Sequence, residues 1–164
     1  MGPERASQPS ARVETSGPRE TEAHGAALAP TLALGSLVLV SGDLGTGKTT
    51  WVRGACRALG VSDLVRSPTF TIARRYSGSV AVAHLDLFRL DSLADEEPGL
   101  LEEYFDPAGV CFVEWPEHAG VDLALPVSAA VHISHRGGDR RLIVYGCPEA
   151  GWGHRTAGPE VPRR

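Results

Sequence analysis

Apolar residues occur along this chain in short runs separated by polar and glycine-rich stretches. Residues 37–40 are Leu-Val-Leu-Val, and a continuous apolar run of this length is typical of a strand buried on both faces of a parallel sheet. Residues 110–113, Val-Cys-Phe-Val, predict a second buried strand. Residues 48–59 instead repeat their apolar positions at helical spacing and are followed by Gly60, so they predict a helix with a glycine C-cap.

Other segments follow the same logic. Residues 21–28 predict a short helix that stops near Pro30, and residues 93–104 predict another helix, interrupted at Pro98-Gly99. Strands are expected over 70–76 and 80–86, joined by a turn at 77–79. The turn sequence Arg136-Gly137-Gly138-Asp139 separates apolar segments at 129–134 and 141–145, which predicts a C-terminal β-hairpin.

The two ends of the chain carry little that could be buried. Residues 1–19 and 148–164 are rich in Gly, Pro and charged residues, and we expect both to be disordered tails around one domain of residues 20–147. No stretch approaches the roughly 20 apolar residues of a membrane span, and no signal peptide is evident, so we expect a cytoplasmic protein without membrane contact. The three cysteines form no CxxC pair, which favours reduced thiols.

A phosphate-binding motif, GxxxxGK[ST], stands between the first buried strand and the following helix. Backbone N–H groups must converge on the phosphates there, and glycine permits this at no steric cost. Lys48, the only lysine in the chain, would reach the β- and γ-phosphates, and the Thr49 hydroxyl would meet magnesium. The expected nucleotide-binding residues are Gly42, Asp43, Leu44, Gly45, Thr46, Gly47, Lys48, Thr49 and Thr50.

This motif and the element order together predict an α/β, P-loop NTPase-like, three-layer domain with a mixed, mainly parallel sheet. The expected ligands are ATP and magnesium. A guanine-reading Asn-Lys-x-Asp element, as GTPases have, would need a second lysine, which this sequence lacks, and this argues against a standard GTPase. The net charge of −4, with scattered basic residues, gives no case for nucleic-acid binding by the chain alone.

Two carboxylates at strand ends are candidates for the catalytic and magnesium-binding acids. Glu114 follows the apolar run 110–113, and Asp86 ends the strand expected over 80–86. Either could hold magnesium together with Thr49 or orient the attacking water, and the residues alone leave the choice open. Thr69, after Ser67-Pro68, is a candidate switch residue that senses the γ-phosphate. Trp115 is either a core residue or a partner-binding residue.

Four motifs in order and spacing resemble the TsaE (YjeE) family of bacterial ATPases. They are GDLGTGKTT at 42–50, SPTFTI at 67–72, HLDLFRL at 84–90 and VEWPE at 113–117, and the resemblance extends over about residues 20–146. It implies a slow, magnesium-dependent ATPase required for threonylcarbamoyladenosine at position 37 of tRNA. The implied partner is the TsaB–TsaD heterodimer, through which the chain would meet tRNA only indirectly.

The resemblance also assigns roles to single residues. It places Lys48 and Thr49 at the phosphate and magnesium, Thr69 in a switch-like segment, Asp86 and Glu114 at the functional acids, and Trp115 at a functional tryptophan. Two other functions stay open on the residues alone: a small P-loop kinase acting on a metabolite, and a non-catalytic, nucleotide-dependent binding module.

Overall fold

The computed structural model of the chain describes residues 11–68, 70–90, 99–119 and 126–146. Its strands are β1 (Arg12–Thr15), β2 (Ser36–Ser41), β3 (Ala73–Ser77), β4 (Ala81–Asp86), β5 (Gly109–Glu114), β6 (Ala129–His135) and β7 (Arg141–Gly146). Its helices are α1 (Pro18–Leu28), α2 (Lys48–Ala58) and α3 (Leu100–Tyr104), with 3-10 turns at Ala29–Thr31 and Pro116–Ala119. None of these helices is long and apolar enough to cross a bilayer.

All seven strands form one mixed sheet in the order β1-β7-β6-β2-β5-β4-β3. The central strands β6, β2, β5 and β4 are mutually parallel, whereas β1, β7 and β3 add antiparallel pairings at the two sides. The mixed sheet and the hairpin β6–β7 are confirmed. Among the described residues, three of the six strand pairs are parallel, whereas the sequence predicts a sheet in which most pairs are parallel.

Side chains alternate between the two faces of this sheet, and each face has its own apolar core. Helices α1 and α2 cover one face, where Val38, Val40 and Phe112 pack against residues such as Trp51 and Val52 of α2. On the other face Leu37, Leu39 and Val113 pack with Leu87 and Tyr104. The continuous apolar runs in β2 and β5 are explained by this arrangement, because a strand covered on both faces buries every residue.

Helix α1 packs closely against α2, which begins directly after the phosphate loop. A Cβ atom at Gly25 would lie 2.0 Å from the Trp51 carbonyl oxygen, and one at Gly54 would lie 1.9 Å from the Glu22 carbonyl oxygen. The two helix backbones therefore touch at these glycines. Glu22 also accepts hydrogen bonds from the guanidinium groups of Arg53 (3.2 Å) and Arg57 (2.6 Å).

The prediction that residues 1–19 form a disordered tail is wrong for residues 12–19. Residues Arg12–Thr15 pair with β7, and α1 begins at Pro18, because the outer edge of β7 offers unpaired backbone groups that a short strand can satisfy. Thr15 is buried there and lies 3.0 Å, hydroxyl to hydroxyl, from Thr21. Residues 1–10 and the expected tail at 148–164 lie outside the described residues.

The prediction of a strand over 70–76 is also wrong for its first residues, 70–72. Ile72 has a φ of 63°, and the Ala73 N–H donates to the Thr71 carbonyl, so the backbone turns tightly before β3 begins at Ala73. Phe70 is 86% exposed, outside the core that a strand residue would join. The helix expected over 93–104 is described only at its end, as Leu100–Tyr104.

Candidate functional site

The phosphate motif forms the turn between the C-terminal end of β2 and the first residue of α2. Gly42, Gly45 and Gly47 have φ values of 141°, 73° and 96°, a region that other residues enter at a steric cost. At Gly42 a Cβ atom would also lie 2.2 Å from the Ile133 carbonyl oxygen. Thr46 is fully buried and donates its hydroxyl to the Asp43 carbonyl at 2.9 Å. Because α2 begins at Lys48, the loop lies at the positive end of the α2 dipole, which favours an anion.

Lys48 lies inside this loop and is 5% exposed. Its ammonium donates to the carbonyl oxygens of Gly42 and Asp43, both at 2.8 Å, and sits 4.0 Å from the ring centroid of Trp115. Burial lowers the pKa of Lys48, and the charge of Glu114 opposes that shift most strongly among the nearby carboxylates. The positive charge of the Lys48 ammonium is therefore held at the loop, where water reaches it only in part.

Glu114, at the end of β5, faces the first turn of α2. The Thr49 hydroxyl lies 2.8 Å from Oε1 and 3.1 Å from Oε2 of this carboxylate, which is 2% exposed. His84 of β4 contacts the same Oε1 with its Nε2 atom at 2.8 Å and is itself fully buried. Since a carboxylate can only accept, both His84 and Thr49 donate to Glu114.

Asp86 is the register partner of Glu114 in the parallel pair β4–β5, so the two acids lie side by side at the C-terminal ends of these strands. The contacts of Asp86 differ, however. Its Oδ2 accepts a short hydrogen bond from the Ser67 hydroxyl, and its Oδ1 accepts from the Phe88 N–H at 3.0 Å. Its own N–H donates to the Ile72 carbonyl at 2.8 Å, so Asp86 contacts both ends of segment 67–72.

Trp115 follows Glu114 and has a φ of 56°, a strained value for a tryptophan. Its ring packs against Phe88 at 4.8 Å and His118 at 5.7 Å between centroids, and it covers Lys48 as described above. Trp115 is half-buried: it packs against the core on the side of the sheet away from α1 and α2, and it also forms one wall of the site.

These groups enclose an open cleft of about 440 Å³. The residues that line it come from the loop, from α2, from the segment before β3 and from the ends of β4 and β5: Leu44, Gly45, Gly47, Lys48, Thr49, Thr50, Ser67, Asp86, Phe88, Glu114 and Trp115. Magnesium prefers oxygen ligands and takes one or two carboxylates beside phosphate oxygens, and Thr49 with Glu114 provides such a set. The residues present therefore fit a magnesium–nucleotide complex.

Most residues predicted for the site meet at this cleft. Gly42, Asp43 and Thr46 are not among the lining residues; the carbonyls of Gly42 and Asp43 accept hydrogen bonds from Lys48, and the side chain of Thr46 is buried. Thr69, the predicted switch residue, lies outside the described residues.

Three residues in or near the site were not predicted from the sequence. They are His84, which contacts Glu114, Ser67, which contacts Asp86, and Arg141, which contacts the phosphate loop. Apolar residues flank both acids in the sequence, and the partners of the acids are distant along the chain, so no local pattern identifies the contacts.

Comparison with known proteins gives a consistent picture. The family model described as "Threonylcarbamoyl adenosine biosynthesis protein TsaE" matches residues 15–143. A Bacillus subtilis protein named "tRNA threonylcarbamoyladenosine biosynthesis protein TsaE" is 38% identical over 134 residues, which covers 80% of this chain and 82% of that protein. A Synechocystis protein of the same name is 44% identical over 102 residues, 59% of this chain and 64% of its own.

The fold has a solved counterpart as well. The crystal structure of Bacillus subtilis YdiB superposes with a TM-score of 0.68 and 29% sequence identity, covering 88% of this chain and 90% of the other. The likeness therefore extends over nearly all of the sheet and helices described above.

Proposed function

The chain belongs to the TsaE family, and from this premise we propose that it is a magnesium-dependent ATPase required for threonylcarbamoyladenosine at position 37 of tRNA. The observation that carries the proposal is the arrangement of Lys48, Thr49 and Glu114 around one cleft at the start of α2. P-loop NTPases use a cation, a hydroxyl and a carboxylate at a helix N-terminus to bind the phosphates and magnesium. The role in tRNA modification is proposed from membership of the family.

The loop and helix would bind the phosphates of ATP. Gly45 and Gly47 let the loop backbone approach the anion closely, and the α2 dipole favours negative charge at its first turn. Lys48 would neutralise the β- and γ-phosphates from its position under Trp115. Because its ammonium donates to two loop carbonyls, it is already oriented within the loop before any phosphate contact.

We propose that the two acids divide their tasks. Glu114 and Thr49 would hold magnesium and its water ligands, since their oxygens lie together at the start of α2. The metal would neutralise charge on the β- and γ-phosphate oxygens. Asp86 would instead hold segment 67–72 beside the cleft, because its Oδ2 accepts a hydrogen bond from the Ser67 hydroxyl and its N–H donates to the Ile72 carbonyl. Thr69 lies within that segment and remains the proposed γ-phosphate sensor.

The proposed partner is the TsaB–TsaD heterodimer, and tRNA would be reached through that complex in the cytoplasm. Trp115 and Phe88 pack together at the wall of the cleft, and Phe88 is 40% exposed. Aromatic residues at the mouth of a nucleotide site are suited to contact a partner, since they bury much area at low conformational cost. Partner binding would then be sensitive to the nucleotide in the cleft.

The test is ATP hydrolysis by the purified chain, alone and with TsaB–TsaD. We expect a low basal rate that rises with the partners, and Lys48→Ala should lower ATP affinity or turnover at least tenfold, about 1.4 kcal/mol. Arg74→Ala, which removes an exposed cation of β3, serves as the control. Turnover that ignores the partners and transfers phosphate to a small molecule would favour a metabolite kinase and contradict the proposal.

A further inference from the structure

Arg141, the first residue of β7, joins the C-terminal hairpin to the phosphate loop. Its Nε donates to the Thr46 carbonyl at 3.0 Å, and one terminal nitrogen lies 3.4 Å from the Gly45 carbonyl. The other terminal nitrogen donates to the carbonyls of Gly138 and Arg140, at 2.8 and 2.9 Å, in the hairpin turn. One guanidinium therefore bridges two backbone segments that are far apart in the sequence.

These contacts fix the direction of the loop peptides. In a planar trans peptide the C=O and N–H groups point in opposite directions. With the Thr46 carbonyl held by Arg141, the Gly47 N–H points away from the hairpin, and Gly47 is a lining residue of the cleft. The Thr46 N–H, which belongs to the Gly45 peptide, donates to the Asp43 carbonyl at 3.4 Å and closes the loop. Arg141 thus favours the loop conformation that presents an amide donor to a phosphate.

The guanidinium has no carboxylate partner among the described residues, so its charge is not neutralised locally. Arg141 is also linked to β1 and α1 by a series of neighbouring residues. Arg141 is the register partner of Thr15 in β1, and the Thr15 hydroxyl meets that of Thr21, whose methyl group lies 3.7 Å from a Cβ built at Gly47. The hairpin therefore contacts the loop through Arg141, and Thr21 of α1, which is bonded to β1, lies beside Gly47.

We propose that Arg141 is a positioning residue for the phosphate loop and couples the β6–β7 hairpin to nucleotide binding. The inference rests on the proposed function, because it requires that the loop binds ATP or ADP. Coupling is reciprocal: if the hairpin favours the binding conformation of the loop, bound nucleotide must stabilise the hairpin.

The variants Arg141→Lys and Arg141→Gln test the proposal, with Arg140→Gln as the matched control. A lysine keeps the charge but has no planar fork to span several carbonyls, so both Arg141 variants should bind ADP about tenfold more weakly. Arg140 has the same charge and neighbourhood, but within the described part of the chain its side chain makes no hydrogen bond to the loop, so its variant should bind normally. The measurement is ADP titration by calorimetry.

A second measurement separates positioning from a general effect on the fold. In the wild type, ADP should slow amide hydrogen exchange in the hairpin turn 136–140, and in Arg141→Lys this protection should be lost while the melting temperature without nucleotide stays near that of the wild type. Normal ADP affinity in Arg141→Lys, or hairpin protection that survives in it, would overturn the inference. A wild type that binds neither ATP nor ADP would instead refute the proposed function itself.

Discussion

At the residue scale, His84 has the contact that most directly affects the site. It is fully buried, donates from Nε2 to Glu114, and its Nδ1 has no hydrogen-bond partner within the described residues. A buried polar atom without a partner costs about 1–3 kcal/mol, so an apolar side chain would serve the core better. The histidine is therefore better explained by what it does to Glu114, whose Oε1 it shares with the Thr49 hydroxyl.

Replacing His84 should weaken magnesium binding more than nucleotide binding. His84→Gln keeps an N–H donor near the position of Nε2, whereas His84→Leu removes it. We expect the magnesium concentration for half-maximal hydrolysis to rise several-fold in the leucine variant and to stay near wild type in the glutamine variant. ADP affinity in EDTA should be unchanged in both, since Glu114 then has no metal to hold. Equal effects of the two variants on the magnesium requirement would argue for a packing role.

At the scale of elements, the contact between α1 and α2 determines how the phosphate loop is supported. The two helices touch through backbone atoms at Gly25 and Gly54, and α2 starts at Lys48 within the site. A side chain at either glycine meets a carbonyl oxygen that belongs to a helix backbone, which cannot rotate away as a flexible side chain can. The helices would have to separate, and α2 would shift relative to the sheet.

Gly25→Ala and Gly54→Ala should therefore each destabilise the protein by about 1–3 kcal/mol, the usual cost of overpacking. This outcome is opposite to the gain expected when alanine replaces glycine in an open helix. Ala27→Ser, on the exposed side of α1, adds one heavy atom without a contact and should change stability little. Urea unfolding followed by circular dichroism measures all three, and an increase in stability in either glycine variant would contradict the close helix contact.

At the scale of the whole molecule, the sheet separates two cores, and each contains a buried cysteine. Cys56 of α2 belongs to the core under the helices, and Cys111 of β5 belongs to the core on the other face. Both are free thiols, and burial raises the pKa of each to about 12. The thiolate is the reactive form, so these residues report whether the two cores open.

At pH 8 we expect both thiols to resist iodoacetamide, since only about one in 10⁴ would be ionised even if reagent could reach them. Peptide mapping by mass spectrometry identifies each cysteine separately. Alkylation of Cys56 and Cys111 should rise together through the urea transition if the molecule unfolds as one unit. Early labelling of one of them would reveal a core that opens independently.

Much of this fold follows from local sequence. Strands β2 and β5 are predicted by uninterrupted apolar runs, α2 by its helical period, and the hairpin by its Gly-Gly turn. The phosphate loop is equally local, because its glycines and Lys48 act within eight consecutive residues. Strand β1 is different: Arg-Val-Glu-Thr has no apolar run, and it forms a strand only because β7 offers it an edge.

The sequence by itself thus determined the α/β architecture and the glycine-rich loop before α2, and it predicted Asp86 and Glu114 as the candidate acids, since each depends on the order of residues along one segment. Only the tertiary structure decided which acid meets Thr49, that His84 holds Glu114, and that Arg141 reaches the loop from a strand 95 residues away. Hydrogen bonds between distant segments depend on sheet register and side-chain direction, and these are fixed when strands pair, not by the local pattern of residues.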